Sequence, residues 1–257
     1  MAQLNGWALI LGVSSGFGAA TARALAREGL DIVGVHLDRR STLPQAEQVA
    51  SDIRALGRKS IFFNKNAADA ATREEVLNAL AAEGGPVRLL LHSIAFGTLR
   101  PLVGDDAVTP AQLEMTMNVM AHSLVYWTQD VVRRGLLMDG GRVLAMTSSG
   151  GTRAIPSYGP VGAAKATLEA YCRQLSYELA PRNIAVNAIR AGVTDTPALQ
   201  KIPGSAGMLE VQRQKHPAGR ITTPEDVAEA IALLVQPGAR WISGNTLGID
   251  GGEDVVA

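Results

Sequence analysis

Residues 7–28 read Trp7-Ala-Leu-Ile-Leu-Gly12-Val-Ser-Ser-Gly16-Phe-Gly18, then Ala19-Ala-Thr-Ala-Arg-Ala-Leu-Ala-Arg-Glu28. Five apolar residues in a row suit a strand buried on both faces, and the alanine-rich run that follows suits a helix. Between them, Gly12, Gly16 and Gly18 allow a tight turn whose backbone amides and helix N-terminus can approach an anionic group. The unit recurs outward from there. Strands are expected at 31–37, 60–63, 87–92, 142–146, 184–189 and 246–249. Helices are expected at 44–56, 72 onward, after Thr109-Pro110, about 160–178 and from Thr223-Pro224-Glu-Asp226. Thr72-Arg-Glu-Glu75 has capping-box spacing and is expected to open its helix. Apolar strands alternating with helices imply one doubly wound α/β domain over residues 1–257, a Rossmann-type parallel sheet of about seven strands with right-handed crossovers.

Composition narrows the function. The chain has 257 residues, with 24 Lys+Arg against 24 Asp+Glu. Zero net charge argues against a partner held by bulk charge, so neither nucleic acid nor an acidic membrane is expected. No run approaches 18 apolar residues and no signal-like segment opens the chain, and the single Cys172 suits a reducing compartment. A cytoplasmic location is expected. His36, His92, His122 and His216 lack metal-ligand spacing, so no metal site is expected.

The spacing Gly-x-x-x-Gly-x-Gly at 12–18 resembles the short-chain dehydrogenase/reductase family, and other matches run along essentially the whole chain. His92-Ser-Ile-Ala-Phe-Gly97 stands where most members have Asn-Asn-Ala-Gly. Asn118 stands at the family's helix asparagine, and Ala191-Gly-Val-Thr-Asp-Thr196 resembles Pro-Gly-x-x-x-Thr with Ala for Pro. The resemblance implies that Gly12, Ser14, Ser15, Gly16, Phe17 and Gly18 receive a nicotinamide dinucleotide. It further implies that Ser93, Ile94 and Ala95 line the cofactor, that Asn66 and Ala67 flank adenine, and that Val193 and Thr196 meet the carboxamide. Cofactor choice is read at the end of the second strand, where an acid would favour the ribose 2′-hydroxyl. His36 stands at the usual acidic position, and Arg39 and Arg40 follow as guanidinium forks for a 2′-phosphate. Asp38 opposes them, and a solvated loop is the alternative reading of the arginines. NADPH is expected over NADH.

Most members place a tyrosine four residues before the active-site lysine. Here the segment is Ser157-Tyr158-Gly-Pro-Val-Gly-Ala-Ala-Lys165, a Tyr-x6-Lys spacing. That spacing is similar to the enoyl-acyl-carrier-protein reductases, a divergent branch of the family, and His216-Pro-Ala-Gly-Arg220 matches their NADPH-preferring subgroup. Seven residues are nearly two helical turns, so Tyr158 and Lys165 project to one side, with Pro160 tolerated in the first turn. The resemblance implies hydride transfer to the β-carbon of a trans-2-enoyl thioester, with Tyr158 stabilising the thioester enolate. Lys165 would bind the nicotinamide ribose, with no unusual pKa required. Ser148, seventeen residues before Lys165, either bonds the substrate oxygen or caps its own turn.

Residues 192–220, rich in Gly and Pro, are expected to form a substrate-binding lid. Leu199, Ile202, Met208, Leu209 and Val211 would wall an acyl chain or simply pack the lid on its domain. The partners implied are an acyl-carrier-protein-bound enoyl thioester or its CoA analogue, and copies of this chain in a homotetramer. Lys201, Arg213, Lys215 and Arg220 exceed Asp195 and Glu210 by 4 − 2 = +2 along 194–220, which suits an acidic carrier. A carbonyl or hydroxysteroid dehydrogenase and a non-catalytic NADP-binding sensor are the competing readings.

Overall fold

The computed structural model describes residues 3–256. The apolar runs become β1 (Trp7–Leu11), β2 (Asp31–His36), β3 (Ser60–Asn64), β4 (Val87–His92), β5 (Leu137–Met146), β6 (Ala185–Ala191) and β7 (Thr246–Ile249). They pair in parallel as one sheet in the order β3-β2-β1-β4-β5-β6-β7. This is a doubly wound Rossmann-type domain. Because the winding reverses between β1 and β4, a crevice opens at the carboxyl ends of those strands.

All five residues of β1 are buried. Strand side chains alternate between faces, and β1 shows both. Leu9 and Leu11 join the core with Leu90, Trp127 and Leu168, whereas Ala8 and Ile10 join the opposite core with Leu25, Ile32 and Ile231. Helices cover both faces: α1 (Gly16–Arg27), α2 (Leu43–Ala55), α3 (Ala70–Glu83), α4 (Pro110–Met117), α5 (Ser123–Arg133), α6 (Gly159–Leu179), α7 (Ser205–Lys215) and α8 (Pro224–Val235). No helix among the described residues is long and apolar enough to cross a membrane.

Four local expectations are corrected. Thr72 does not cap α3. The N-cap is Asp69, and Thr72 lies buried in the first turn, because the extended backbone ends three residues earlier than the Thr-Glu spacing suggests. Strand β5 begins at Leu137, five residues before the expected start, and Leu137 pairs with Val87 across an irregularity that Gly140 and Gly141 disguise. The helix after Thr109 starts where expected and is capped by reciprocal bonds with Gln112, but a π-helical turn at Asn118–His122 separates α4 from α5. Residues 192–220 are not one long loop, since α7 and a short 3-10 turn at Leu199–Lys201 occupy much of them.

Candidate active site

The crevice is built first by the glycine-rich turn. Ser15 is extended at the N-cap of α1 and provides no side-chain cap, which leaves first-turn amides directed toward the mouth of the crevice. Gly18 is required for closeness, because a Cβ there would lie 1.9 Å from the Gly12 carbonyl oxygen. A cleft of ≈ 520 Å³ opens here, lined among others by Ser14, Ser15, Gly16, Arg23, Gln45 and Asp195. Uncapped amides over a glycine-rich turn fit the pyrophosphate of a dinucleotide. Phe17 turns its side chain into the core instead. Thr196 is buried and packs across Gly16, so the start of the 192–220 segment closes on the same turn.

The remaining expected cofactor residues lie along the carboxyl edge of the sheet. Ser93 donates its amide to Leu11 O at 2.8 Å, and its carbonyl packs against Gly12. Ile94 O accepts from Lys165 Nζ at 3.3 Å, and Ala95 is exposed beyond it. Asn66 folds the turn after β3, accepting from Ala68 N at 3.0 Å, while Ala67 O accepts from the Trp127 indole at 2.7 Å. Val193 N is bonded to the Glu253 carboxylate at 2.7 Å, a partner that sequence spacing did not suggest.

At the end of β2, Asp38 faces inward. Its amide and carbonyl pair with the Asn64 side chain at 2.8 and 3.0 Å, and His36 Nδ1 lies 2.8 Å from its carboxylate. Burial pushes the carboxyl pKa up, but hydrogen bonds from Thr42, Ser14 and His36 outweigh it and hold it below the usual value. Arg39 and Arg40 point to solvent, and neither has an ion pair among the described residues.

The second half of the site stands on α6. Tyr158 is its N-cap and is preceded by Ser157 at φ +59°, a left-handed conformation uncommon outside glycine. The Tyr158 ring lies against Gly150, where a Cβ would come within 2.4 Å of the ring. Tyr158 OH donates to Ser148 Oγ at 3.3 Å, and Gly150 N donates to the same oxygen at 3.1 Å. Ser148 therefore both caps its turn and meets the phenol. Burial raises the Tyr158 pKa, and the Ser148 bond only partly offsets it, so the phenol keeps its proton at neutral pH.

Lys165 is 4% exposed and donates to Met146 O at 2.7 Å as well as to Ile94 O. Burial lowers its pKa to about 8, a shift that its expected role did not require. Val161, one turn before Lys165, is packed in the core, so no phenol occupies that position. Tyr158 lines an opening rimmed by Leu102, Ile155 and Gly159, with Ser148 bonded to its phenol and Lys165 buried further along α6. Such a site can hold a hydrogen-bond donor and a positive charge beside a developing oxyanion.

The 192–220 segment divides. Leu209 is buried and Ile202 packs on the domain core, whereas Val211 faces solvent. His216, buried at the end of α7, accepts from Ala218 N at 3.1 Å and bonds Asp250 O at 2.8 Å. Arg220 is taken by Asp226 through two bonds of 2.6 and 2.7 Å, which lowers the local excess of positive charge from +2 to +1.

A nicotinamide-binding fold with this constellation defines a class of oxidoreductase, and comparisons with known proteins agree. The family model described as Enoyl-(Acyl carrier protein) reductase matches residues 12–253. The chain belongs to the short-chain dehydrogenase/reductase family, in the group which that model describes. It is 31% identical to 1-cyclohexenylcarbonyl-CoA reductase of Streptomyces collinus, over 97% of this chain and 87% of the relative. It is 31% identical to the NADH enoyl-acyl-carrier-protein reductase FabI of Nostoc, over 77% and 76%. It is also 28% identical to the 3-oxoacyl-acyl-carrier-protein reductase FabG of Escherichia coli, over 97% of each. A short-chain dehydrogenase from Burkholderia cenocepacia in complex with NADP superposes with a TM-score of 0.84 at 30% identity, covering 98% of this chain and 99% of that one.

Proposed function

We infer that the protein is an NADPH-dependent enoyl-thioester reductase, acting on trans-2-enoyl groups carried by acyl-carrier protein or CoA in fatty-acid synthesis. The observation that carries this reading is the placement of the one phenol of the site at the mouth of α6, seven residues before Lys165, with Val161 where a carbonyl reductase has its tyrosine. A reduced nicotinamide held along the glycine-rich turn and the carboxyl edge of the sheet would supply the hydride for the substrate β-carbon. Charge then develops on the thioester oxygen, three atoms beyond the β-carbon, where a phenol set outward can donate a hydrogen bond. Tyr158 exchanges its weak bond to Ser148 for that oxygen. Lys165 adds positive charge from below, and its remaining N–H suits a ribose hydroxyl. The α-carbon finally takes a proton from solvent, which completes the saturated thioester.

Two features bear on the cofactor. Asp38 is the acid at this end of β2, but its carboxylate is already engaged by His36. Arg39 and Arg40 are exposed and unpaired, which supports the 2′-phosphate and hence NADPH over NADH. The segment 192–220 acts as the lid, with α7 as its moving part. Lys201 and Lys215, exposed on it, support docking of an acidic carrier. Neutral composition and a buried free thiol suit a cytoplasmic enzyme, and the family resemblance supports a homotetramer.

The test is NADPH oxidation with crotonoyl-CoA and, separately, acetoacetyl-CoA. Turnover of the enoyl substrate, faster with NADPH than with NADH, is expected. Turnover of the ketone alone would overturn the reading in favour of a carbonyl reductase, which the Ser148 contact to Tyr158 otherwise favours.

A further inference from the structure

Three consecutive residues at the end of β5 touch every member of the constellation. Met146 O accepts from Lys165 Nζ at 2.7 Å, and Ser148 Oγ accepts from Tyr158 OH at 3.3 Å. Between them, Thr147 donates its amide to Ile189 O at 2.8 Å and its hydroxyl to Glu169 Oε1 at 2.7 Å. Thr147 and Glu169 are both buried. Glu169 lies one helical turn beyond Lys165 on the inward face of α6, which also carries Cys172. An acid in a core is costly, and packing alone would be better served by an apolar side chain.

Four titratable groups face Lys165. His92, from β4, is pushed down to about 3, chiefly by burial, and is neutral. Burial pushes the Cys172 thiol up to about 12 and raises the Tyr158 phenol, so both keep their protons at neutral pH. Glu169 remains as the acidic partner on the buried side, and its charge favours the ammonium form of Lys165.

The geometry points to Glu169 as a positioning residue: by holding Thr147 it fixes the tripeptide 146–148, whose other two members hold Lys165 and Tyr158. Its charge has a second effect, separable from the hydrogen bond. The role in turnover rests on the enoyl-reductase reading above, but the effect on Lys165 does not.

Two variants separate the parts. Glu169→Gln keeps an acceptor for Thr147 and loses the charge, whereas Thr147→Val keeps the shape and the charge and loses the bond. Ionisation of Lys165 is read without substrate from the 13Cε shifts of the five lysines (59, 65, 165, 201 and 215), with Lys165→Met assigning the signal. The expected results are a lower Lys165 midpoint in Glu169→Gln, with kcat on crotonoyl-CoA within about threefold of wild type at pH 6.5, and an unchanged midpoint in Thr147→Val with kcat down about tenfold and KM unchanged. An unmoved midpoint in Glu169→Gln, or wild-type kcat in Thr147→Val, would overturn the proposal. Equal losses of kcat and of Tm in both variants would also overturn it, since that is what a merely structural pair would give. A wild-type enzyme inert to enoyl thioesters would overturn the functional reading alone, and the Lys165 titration would still decide whether Glu169 acts on it.

Discussion

Tyr158 is placed by strain and by space. Ser157 holds a left-handed backbone at φ +59°, which costs about 1–3 kcal/mol and turns the chain so that the next residue caps α6. Gly150 then clears room for the ring. On the proposed reading, removing the phenol hydroxyl removes the donor for the enolate oxygen, worth about 10²–10³ in rate for a donor of this kind. Tyr158→Phe should therefore lower kcat by about that factor with the Kd for NADPH unchanged, measured by steady-state kinetics and nucleotide fluorescence. Lys165 gives the pH dependence. With its pKa lowered to about 8, kcat/KM should fall as pH rises through about 8, where the ammonium is lost from the free enzyme. The same group acts on stability in the opposite direction. The folded protein binds fewer protons than the unfolded chain between about 8 and 10.5, so this contribution becomes less unfavourable as pH rises through that window. Burying the charge costs ~3 kcal/mol at most below it. The urea midpoint of Lys165→Met relative to wild type should accordingly be highest at pH 7 and lose its advantage by pH 10.

Helix α8 shows how an element is held at both ends. Thr223 and Asp226 form reciprocal capping bonds at its start, and Arg220 binds the same carboxylate. The Arg220 bond and the capping donors hold the Asp226 pKa far below the ordinary range, so its contribution is present above the usual Asp pKa and is lost as pH falls into strong acid. At the other end, buried Arg142 of β5 donates to Leu234 O at 2.8 Å and Gln236 O at 3.0 Å, satisfying carbonyls that the helix leaves open. Thr223→Ala should lower stability by ~1 kcal/mol in urea denaturation at neutral pH. The Thr-Pro-Glu-Asp pattern made this cap readable from residues alone. Thr72 had the same kind of pattern but is buried in the first turn of α3, because Asp69 reaches the end of the extended chain first. Local spacing identifies a possible cap, and the path of the backbone decides which is used.

For the molecule as a whole, four copies of the 27.0 kDa chain make 4 × 27.0 = 108 kDa. The outer face of α6 leaves Ala163, Ala166, Ala170 and Tyr177 exposed, with Tyr177 at 79%. Sedimentation equilibrium should give 108 kDa, and Ala170→Arg, which puts a charge on that face, should give a smaller species. The alternation of apolar runs and helices determined the doubly wound sheet, and the Tyr158 to Lys165 spacing brought both residues to one side of one helix. Both are local periodicities, which the backbone turns into geometry at short range. The pairing of Glu169 with Thr147 and that of Asp38 with Asn64 join residues far apart in the chain, and the helical turns inside 192–220 have no capping signal. Tertiary structure alone decided these, because they depend on which side chains the folded sheet brings within hydrogen-bond distance and on how much water burial removes.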